Sequence, residues 1–540
     1  MAYAITQTCC NDASCVSVCP VNCIHPTPDE PGFGSTDMLY VDPKTCIDCG
    51  ACADACPVDA IFPVDRLRGA DTIYARLNRE YYETTPTSNE WGAPHFPRSL
   101  PASVGTLRVA IVGTGPAAAY TAQALLRDTG AELTMLDRLP IAGGLLRSGV
   151  APDHQSTKKI GDGFSWLYRH PRLSLHMNVE VGRDITHEEL AAHHHAVIYA
   201  VGAAADRELD VDGAGLPGSM SATSFVAWYN AHPDAADVEV DLSAERAVVV
   251  GNGNVALDVA RILLSDPERL ATTDIADHAL RRLRGSEVRE VVLLARRGPE
   301  HAAFTTPEFL AMREIPGVEL VVQDGPEARA AFAAAEPGGK VALLADLPLA
   351  DLDREAPPAD GKRLVFAFGT EPVAVRGDDR VASVRVRDSR GEGAITTGLL
   401  IRAIGYRSSP IAGLPFDGTT STVPNESGRV LAEAGEPLPG TYVVGWAKRG
   451  PSGGIGTNRG CAGETVGALL DDAAAGRLAA PAETGFDRLV RTRAPKSVGS
   501  RGMLAIDKAE RDRGDREGRP RVKFATTAEL LGAANRLFGR

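Results

Sequence analysis

Residues 107–126 read LRVAIVGTGPAAAYTAQALL, an apolar run, a glycine turn and a helix-forming run in direct succession. Gly113 suits the tight turn after a strand. Gly115 lets backbone approach a pyrophosphate at a helix N-terminus, and Ala118 allows the helix to pack closely on the strand. The next strand, ELTMLD at 132–137, ends in Asp137, 24 residues after Gly113, where an acid would meet a ribose hydroxyl. Strand, turn, helix and acid together predict a dinucleotide site.

A second such unit opens at 247 with AVVVGNGNVALDVARILL, in which Gly251, Gly253 and Ala256 repeat the spacing. The strand REVVLLARR at 289–297 ends in Arg296 and Arg297 where the first unit has its acid. Paired guanidiniums suit a 2′-phosphate, hence NADP over NAD; the alternative is a basic surface pair at a strand end. Gly251 and Arg296 are 45 residues apart, so 266–288 must be an insertion. The strand-like runs VELVVQ, RLVFAF, ASVRVR and LLIRAIGY, with TYVVGWAKRGPSGGIG at 441–456, complete an α/β pattern with parallel sheets.

Nine of the ten cysteines lie in the first 56 residues. Cys46, Cys49, Cys52 and Cys56-Pro57 spell C-x2-C-x2-C-x3-C-P. Cys9, Asp12, Cys15 and Cys19-Pro20 repeat that register with Asp in the second slot. This is the run of a two-cluster bacterial ferredoxin, in which the fourth cysteine of each run serves the other cluster. One cluster would use Cys19, Cys46, Cys49 and Cys52, and the other Cys9, Cys15 and Cys56 with Asp12 at the fourth place. That second cluster is either 3Fe–4S with Asp12 unbound or 4Fe–4S with a labile iron. Zinc does not require this doubled register. Cys10 falls outside it, Cys23 reads as a small buried hydrophobe, and Cys461 as structural.

The 540 residues carry a net charge of −13, which argues against nucleic acid as a partner, and no apolar run has the length of a membrane span. Residues 1–65 hold nine acidic groups against Lys44 alone, either a soluble surface or a face steered toward a basic partner. The start, MAYAITQTCC, has no secretory pattern, so reduced thiols and a cytoplasmic location are expected. Residues 66–83 predict a helix carrying Leu67, Ile73, Leu77 and Tyr81. Pro86, Pro94, Pro97 and Pro101 then mark an extended linker within 66–104. The charged stretch 508–523 reads as a solvated face or extension.

Nicotinamide delivers hydride, clusters take single electrons, and a flavin converts between the two. The first site therefore reads as FAD and the second as NADP. With these residues the chain resembles the adrenodoxin reductase family of ferredoxin–NADP reductases, in its mycobacterial type with a fused N-terminal ferredoxin. The motifs are VGTGPAAAYTAQALL, GGLLRSGVAPDH, NVEVGRDI, GNGNVALDVARILL, ARRGPEHAAFTTPE and GWAKRGPSGGIGTN, within 107–535.

The resemblance implies a small α+β two-cluster ferredoxin domain, 1–65, followed by two Rossmann-like domains. An NADP domain, 204–415, would be inserted in a split FAD domain, 105–203 and 416–540. It implies FAD contacts at Pro116, Asp137, Leu145, Val181, Trp446, Gly453, Gly454 and Ile455, beside the turn residues Gly113, Gly115 and Ala118. It implies NADP contacts at Gly251, Asn252, Gly253, Asn254, Val255, Arg296, Arg297, Glu308 and Gly453. His154, ending GVAPDH, would order water near the flavin or serve as a structural turn residue. Asp137 stands where many members have Glu.

The activity implied is that of a ferredoxin–NADP+ reductase. NADPH would reduce FAD, and single electrons would pass to the fused clusters and on to a cytochrome P450, a ferredoxin or another acceptor. The alternatives are an electron-input subunit like the small subunit of glutamate synthase and a non-enzymatic cluster-based sensor.

Overall fold

The computed structural model describes residues 2–90, 100–336 and 339–535. Pro94, Pro97 and the last five residues of the expected second FAD segment lie outside them.

The thiol-rich segment builds a small two-fold-like module. Strand Tyr3–Ile5 pairs antiparallel with Ile61–Pro63, and Ile24–His25 pairs antiparallel with Tyr40–Val41. The stretch expected as a linker contributes to this module. Its helix runs over Ile73–Thr84 and carries the buried Asn78. The Asn78 side chain accepts from Ile5 N at 3.1 Å and Val41 N at 2.8 Å, and donates to Ile5 O at 2.9 Å. One amide thus ties the two strand pairs to the helix. Tyr82 adds hydrogen bonds from its hydroxyl to Cys23 O and Tyr40 O, at 3.0 and 2.7 Å. The module therefore extends to residue 84, because polar groups of the helix satisfy backbone that the short strands leave unpaired.

Two seven-stranded sheets follow. In the first, Pro437–Val443, Ala196–Tyr199, Arg108–Val112, Glu132–Asp137 and Leu173–Met177 are parallel neighbours in that order. Two short antiparallel strands extend its edge. In the second sheet every pairing is parallel, with Arg246–Val250 between Glu290–Ala295 and Leu399–Arg402. The chain leaves the first sheet after Tyr199 and returns to it only at Asn425. Ala205–Asp206 and Tyr406–Arg407 pair antiparallel where it crosses out and back. The segment 266–288 is an insertion between the central strands and folds as helices Pro267–Leu270 and Asp277–Arg284.

An unbroken apolar core runs from the small module (Ile24, Leu39, Val58) into the first sheet (Val109, Ile111, Leu133) and the C-terminal helices (Ile506, Leu530). A second core fills the other sheet.

The C-terminal charged stretch is the expected solvated face only in part: Lys508, Asp512, Asp515, Arg516 and Glu517 are exposed, while other charges turn inward. Helix Ser500–Glu517 buries Glu510 completely. Arg519 and Lys523 are also buried, and Lys523 Nζ lies 2.8 Å from Asp274. These charges are interior because each meets a partner there. Among the described residues no helix is long and apolar enough to cross a membrane.

Candidate functional site: two nucleotide turns and a thiol module

The first glycine turn sits at the carboxyl ends of the first sheet's parallel strands. Gly113 has φ +111°, and a Cβ there would lie 2.4 Å from Ala200 O. Only glycine fits both demands. Gly115 caps helix Pro116–Asp128, and Ala118 is fully buried within it. Gly144, with φ +50°, faces Gly115 so closely that a Cβ on it would lie 2.9 Å from the Gly115 Cα. Leu145 opens the short helix that follows.

Asp137 ends its strand and accepts from Thr114 N at 3.0 Å, Thr114 Oγ1 at 2.6 Å and Leu139 N at 2.9 Å. Burial nevertheless holds its carboxyl above the usual range. Val179 N donates to Asp137 O, which brings Val181 to the same sheet end.

The segment after Pro437–Val443 closes on this turn. A Cβ on Gly445 would lie 2.7 Å from Ala117 Cβ. Trp446 is half-buried, 5.3 Å from the Tyr406 ring, and donates from Nε1 to Ser452 O at 3.1 Å. Gly453 has φ +76°, and the Asn458 amide holds Gly454 O and Ile455 O at 3.2 and 3.0 Å. Arg449 Nε and Nη1 and Thr457 Oγ1 are buried here without a hydrogen-bond partner. A guanidinium with unmet donors is costly, and donors of this kind fit a carbonyl-rich or anionic group such as a flavin dinucleotide.

The second turn repeats the geometry. Gly251 has φ +123°, and a Cβ would lie 2.3 Å from Ala403 O. Gly253 caps helix Asn254–Leu264 with open space beside its Cα. Asn254 exchanges hydrogen bonds with Thr305, at 2.8 and 3.3 Å. Val250 pairs in register with Leu294, so Arg296 and Arg297 emerge beside the turn. Both are exposed and carry no ion pair among the described residues.

Between the two sheets, His154 Nε2 lies 3.7 Å from Glu308 Oε2. Arg261 reaches Asp153 at 2.6 Å, Asp258 at 2.5 Å and Glu308 at 3.3 Å. Burial pushes the Glu308 carboxyl above its usual range. His154 and Glu308 thus face each other across the junction.

In the small module Cys19, Cys46, Cys49 and Cys52 line one cavity with Tyr3, Val41 and Ile47. Cys9, Asp12, Cys15 and Cys56 form the other group. Burial first, then Cys9, Asp12 and Cys56, raises the Cys15 thiol. Burial also pushes Cys9 and Cys52 up to about 11. Thiols so crowded and dry become thiolates around a positively charged centre, which fits iron. Cys23 is buried, its Sγ 3.5 Å from Cys19 Sγ. Cys461 is buried and accepts from Gly445 N at 3.3 Å.

The profile of the pyridine nucleotide-disulphide oxidoreductase family matches residues 107–298, and that of the 4Fe-4S binding domain matches 39–62. A probable ferredoxin/ferredoxin–NADP reductase of Mycobacterium tuberculosis is 48% identical over 99% of this chain and 95% of its own. The chain belongs to the ferredoxin/ferredoxin–NADP reductase family. Another such protein, from Mycobacterium leprae, is 47% identical over 99% of this chain and 98% of its own. The solved structure of Mycobacterium tuberculosis FprA in complex with NADPH superposes with a TM-score of 0.72 at 40% identity. It covers 79% of this chain and 99% of that one.

Sequence reasoning missed Gly144, Asp153, Asp258, Arg261, Arg449 and Thr457. Gly144 was legible in GGLLRSG as a glycine beside a helix start. Asp258 and Arg261 pair three residues apart on one helix, but Asp153 and Glu308 reach Arg261 from distant segments, and the unmet donors of Arg449 and Thr457 show only in the folded site.

Proposed function

We propose that the chain oxidises NADPH through FAD and delivers single electrons through two iron–sulfur clusters to a one-electron acceptor protein, the reaction of a ferredoxin–NADP+ reductase. The observation that carries this is the continuous core joining the thiol module to the sheet of the first nucleotide turn. Bound FAD supplies the conversion between hydride and single-electron chemistry.

The chain's own residues position and shield. The turn Gly113–Ala118 presents a helix N-terminus to the FAD pyrophosphate. Asp137 receives a ribose hydroxyl, while Leu145, Val181, Trp446 and Gly453 to Ile455 line the flavin side. Arg449 and Thr457 offer it their unmet donors. Gly251 to Val255 hold the NADP pyrophosphate, and Arg296 with Arg297 clamps the 2′-phosphate. His154 and Glu308, facing each other between the two sheets, would order water there.

Cys19, Cys46, Cys49 and Cys52 would hold a 4Fe–4S cluster. Cys9, Cys15 and Cys56 would hold a 3Fe–4S cluster. Both Asp12 oxygens already accept from Ser14, through its N at 3.2 Å and its Oγ, which supports an unbound carboxylate. A cytoplasmic setting with a cytochrome P450, a ferredoxin or a similar acceptor suits the exposed Cys49.

The test is anaerobic turnover of the purified holoprotein with NADPH or NADH, using ferricyanide and cytochrome c as acceptors, beside iron, sulfide and flavin analysis. Rapid NADPH-specific reduction of both acceptors is expected. Flavin that NADPH leaves oxidised would overturn the reading.

A further inference from the structure

The loop carrying Asp12 lies directly on the glycine turn that faces the first nucleotide site. Gly456 N donates to Cys10 O at 2.9 Å. A Cβ on Gly456 would lie 2.0 Å from Asn11 O and 2.3 Å from Asp12 N. Gly456 has φ −67°, an ordinary helical value, so backbone strain does not require glycine there; the approach of the Asn11 backbone does. Arg459 Nη1 donates to Asp12 O at 2.9 Å and lies 3.3 Å from Ser14 Oγ. Two outlying contacts hold the same face: Thr306 N to Asp37 at 2.7 Å, and Lys159 Nζ to Asp59 at 2.5 Å. The cavity of Cys19, Cys46, Cys49 and Cys52 is lined only by residues 3–52. Cys49 is exposed, and Ile47 beside it is 58% exposed.

The geometry points to a fixed order of the two thiol sites. The Cys9/Asp12/Cys15/Cys56 site is the inner one, clamped against the flavin turn by Gly456 and Arg459. The Cys19/Cys46/Cys49/Cys52 site is the outer one, from which electrons leave at the Cys49 face. This rests on the function proposed above and adds the order of its centres. Electron tunnelling falls steeply with distance, so the site held by direct backbone contact receives first. Per turnover, one NADPH gives two electrons and a hydride-borne proton. Two one-electron acceptor proteins are each reduced once, and NADP+ and one proton are released.

Two kinds of variant test the order in the full-length holoprotein. Arg459→Ala and Gly456→Ala keep every thiol but loosen the clamp. Amide hydrogen exchange over residues 10–14 should then accelerate at least tenfold, a readout independent of turnover. NADPH-driven bleaching of the clusters should slow at least tenfold, while dithionite still reduces them fully. Arg459→Ala should keep ferricyanide reduction unchanged.

Cys49→Ser should leave the inner cluster reducible by NADPH at the normal rate. Cys15→Ser should strand the outer cluster oxidised under NADPH though reducible by dithionite. The reverse pattern of the two cysteine variants overturns the order. So do normal exchange and normal cluster reduction in both clamp variants, which remain decisive even if a cysteine variant fails to assemble. Flavin in the unaltered protein that NADPH cannot reduce would instead sink the function reading, and the exchange measurement would still judge the clamp.

Discussion

The Arg147 guanidinium grips the Glu510 carboxylate through two hydrogen bonds, 2.8 and 2.6 Å long, in the protein interior. Arg147 follows the first nucleotide turn and Glu510 lies in the C-terminal helix, so the pair bolts the chain's last segment beneath that turn. Phe524 N and Arg521 also donate to the same carboxylate, at 3.0 and 3.2 Å. Burial alone would raise this carboxyl; the Arg147 and Arg521 guanidiniums outweigh it and hold the group below the ordinary 4.5. A depressed carboxyl pKa stabilises the fold fully above the unfolded value and loses that contribution as pH falls through the folded value. We therefore expect thermal stability to be flat near neutrality and to drop below about pH 4.5. Glu510→Gln should cost about 3–5 kcal/mol near neutral pH, since it leaves Arg147 uncompensated, and should flatten part of the acid drop. Calorimetry from pH 3 to 8 measures both; an unchanged acid limb in the variant would refute the assignment.

The exposed Arg296 and Arg297 have no carboxylate partners among the described residues, so replacing them should disturb nucleotide choice rather than folding. Each charge-assisted bond contributes about 1.5–3 kcal/mol. Arg296→Ala with Arg297→Ala should weaken NADPH tenfold or more and leave NADH nearly unchanged. Titration by flavin-charge-transfer absorbance decides it, and equal weakening of both nucleotides would show that the pair is not the phosphate clamp.

Asp12→Cys should complete the thiolate register and yield two stable 4Fe–4S clusters, abolishing any 3Fe–4S paramagnetic signal after mild oxidation. The contact of Arg459 is to the Asp12 carbonyl, which the substitution keeps. The module should therefore stay seated. A paramagnetic spectrum indifferent to the change would place residue 12 away from the cluster.

Asn78→Ala would leave Ile5 N and Val41 N buried without their side-chain acceptor. Each unsatisfied group costs about 1–3 kcal/mol. The thiol module should melt first, seen as earlier loss of cluster absorbance on heating while flavin fluorescence stays quenched. Simultaneous loss of both signals at the unaltered temperature would show that this amide does not hold the module together.

The turns at Gly113 and Gly251, the strand ending at Asp137 and the one that stops just before Arg296, and the doubled thiol register were all determined by sequence alone. Each is a local device: a positive φ, a short apolar run or a fixed ligand spacing constrains only its neighbours in the chain. The helix within 66–83 was legible too, but its allegiance was not, because Asn78 acts on strands 37 and 73 residues away. The tail at 508–523 read as solvated because its charges match a surface pattern; Arg147 and Asp274, distant in sequence, turn Glu510 and Lys523 inward. The junction of His154, Asp153, Asp258, Arg261 and Glu308 draws on both sheets, so no single window shows it. Gly456 is the sharpest case. In sequence it is one more glycine of a glycine-rich run; only packing puts the backbone of Asn11 where a side chain would have to be.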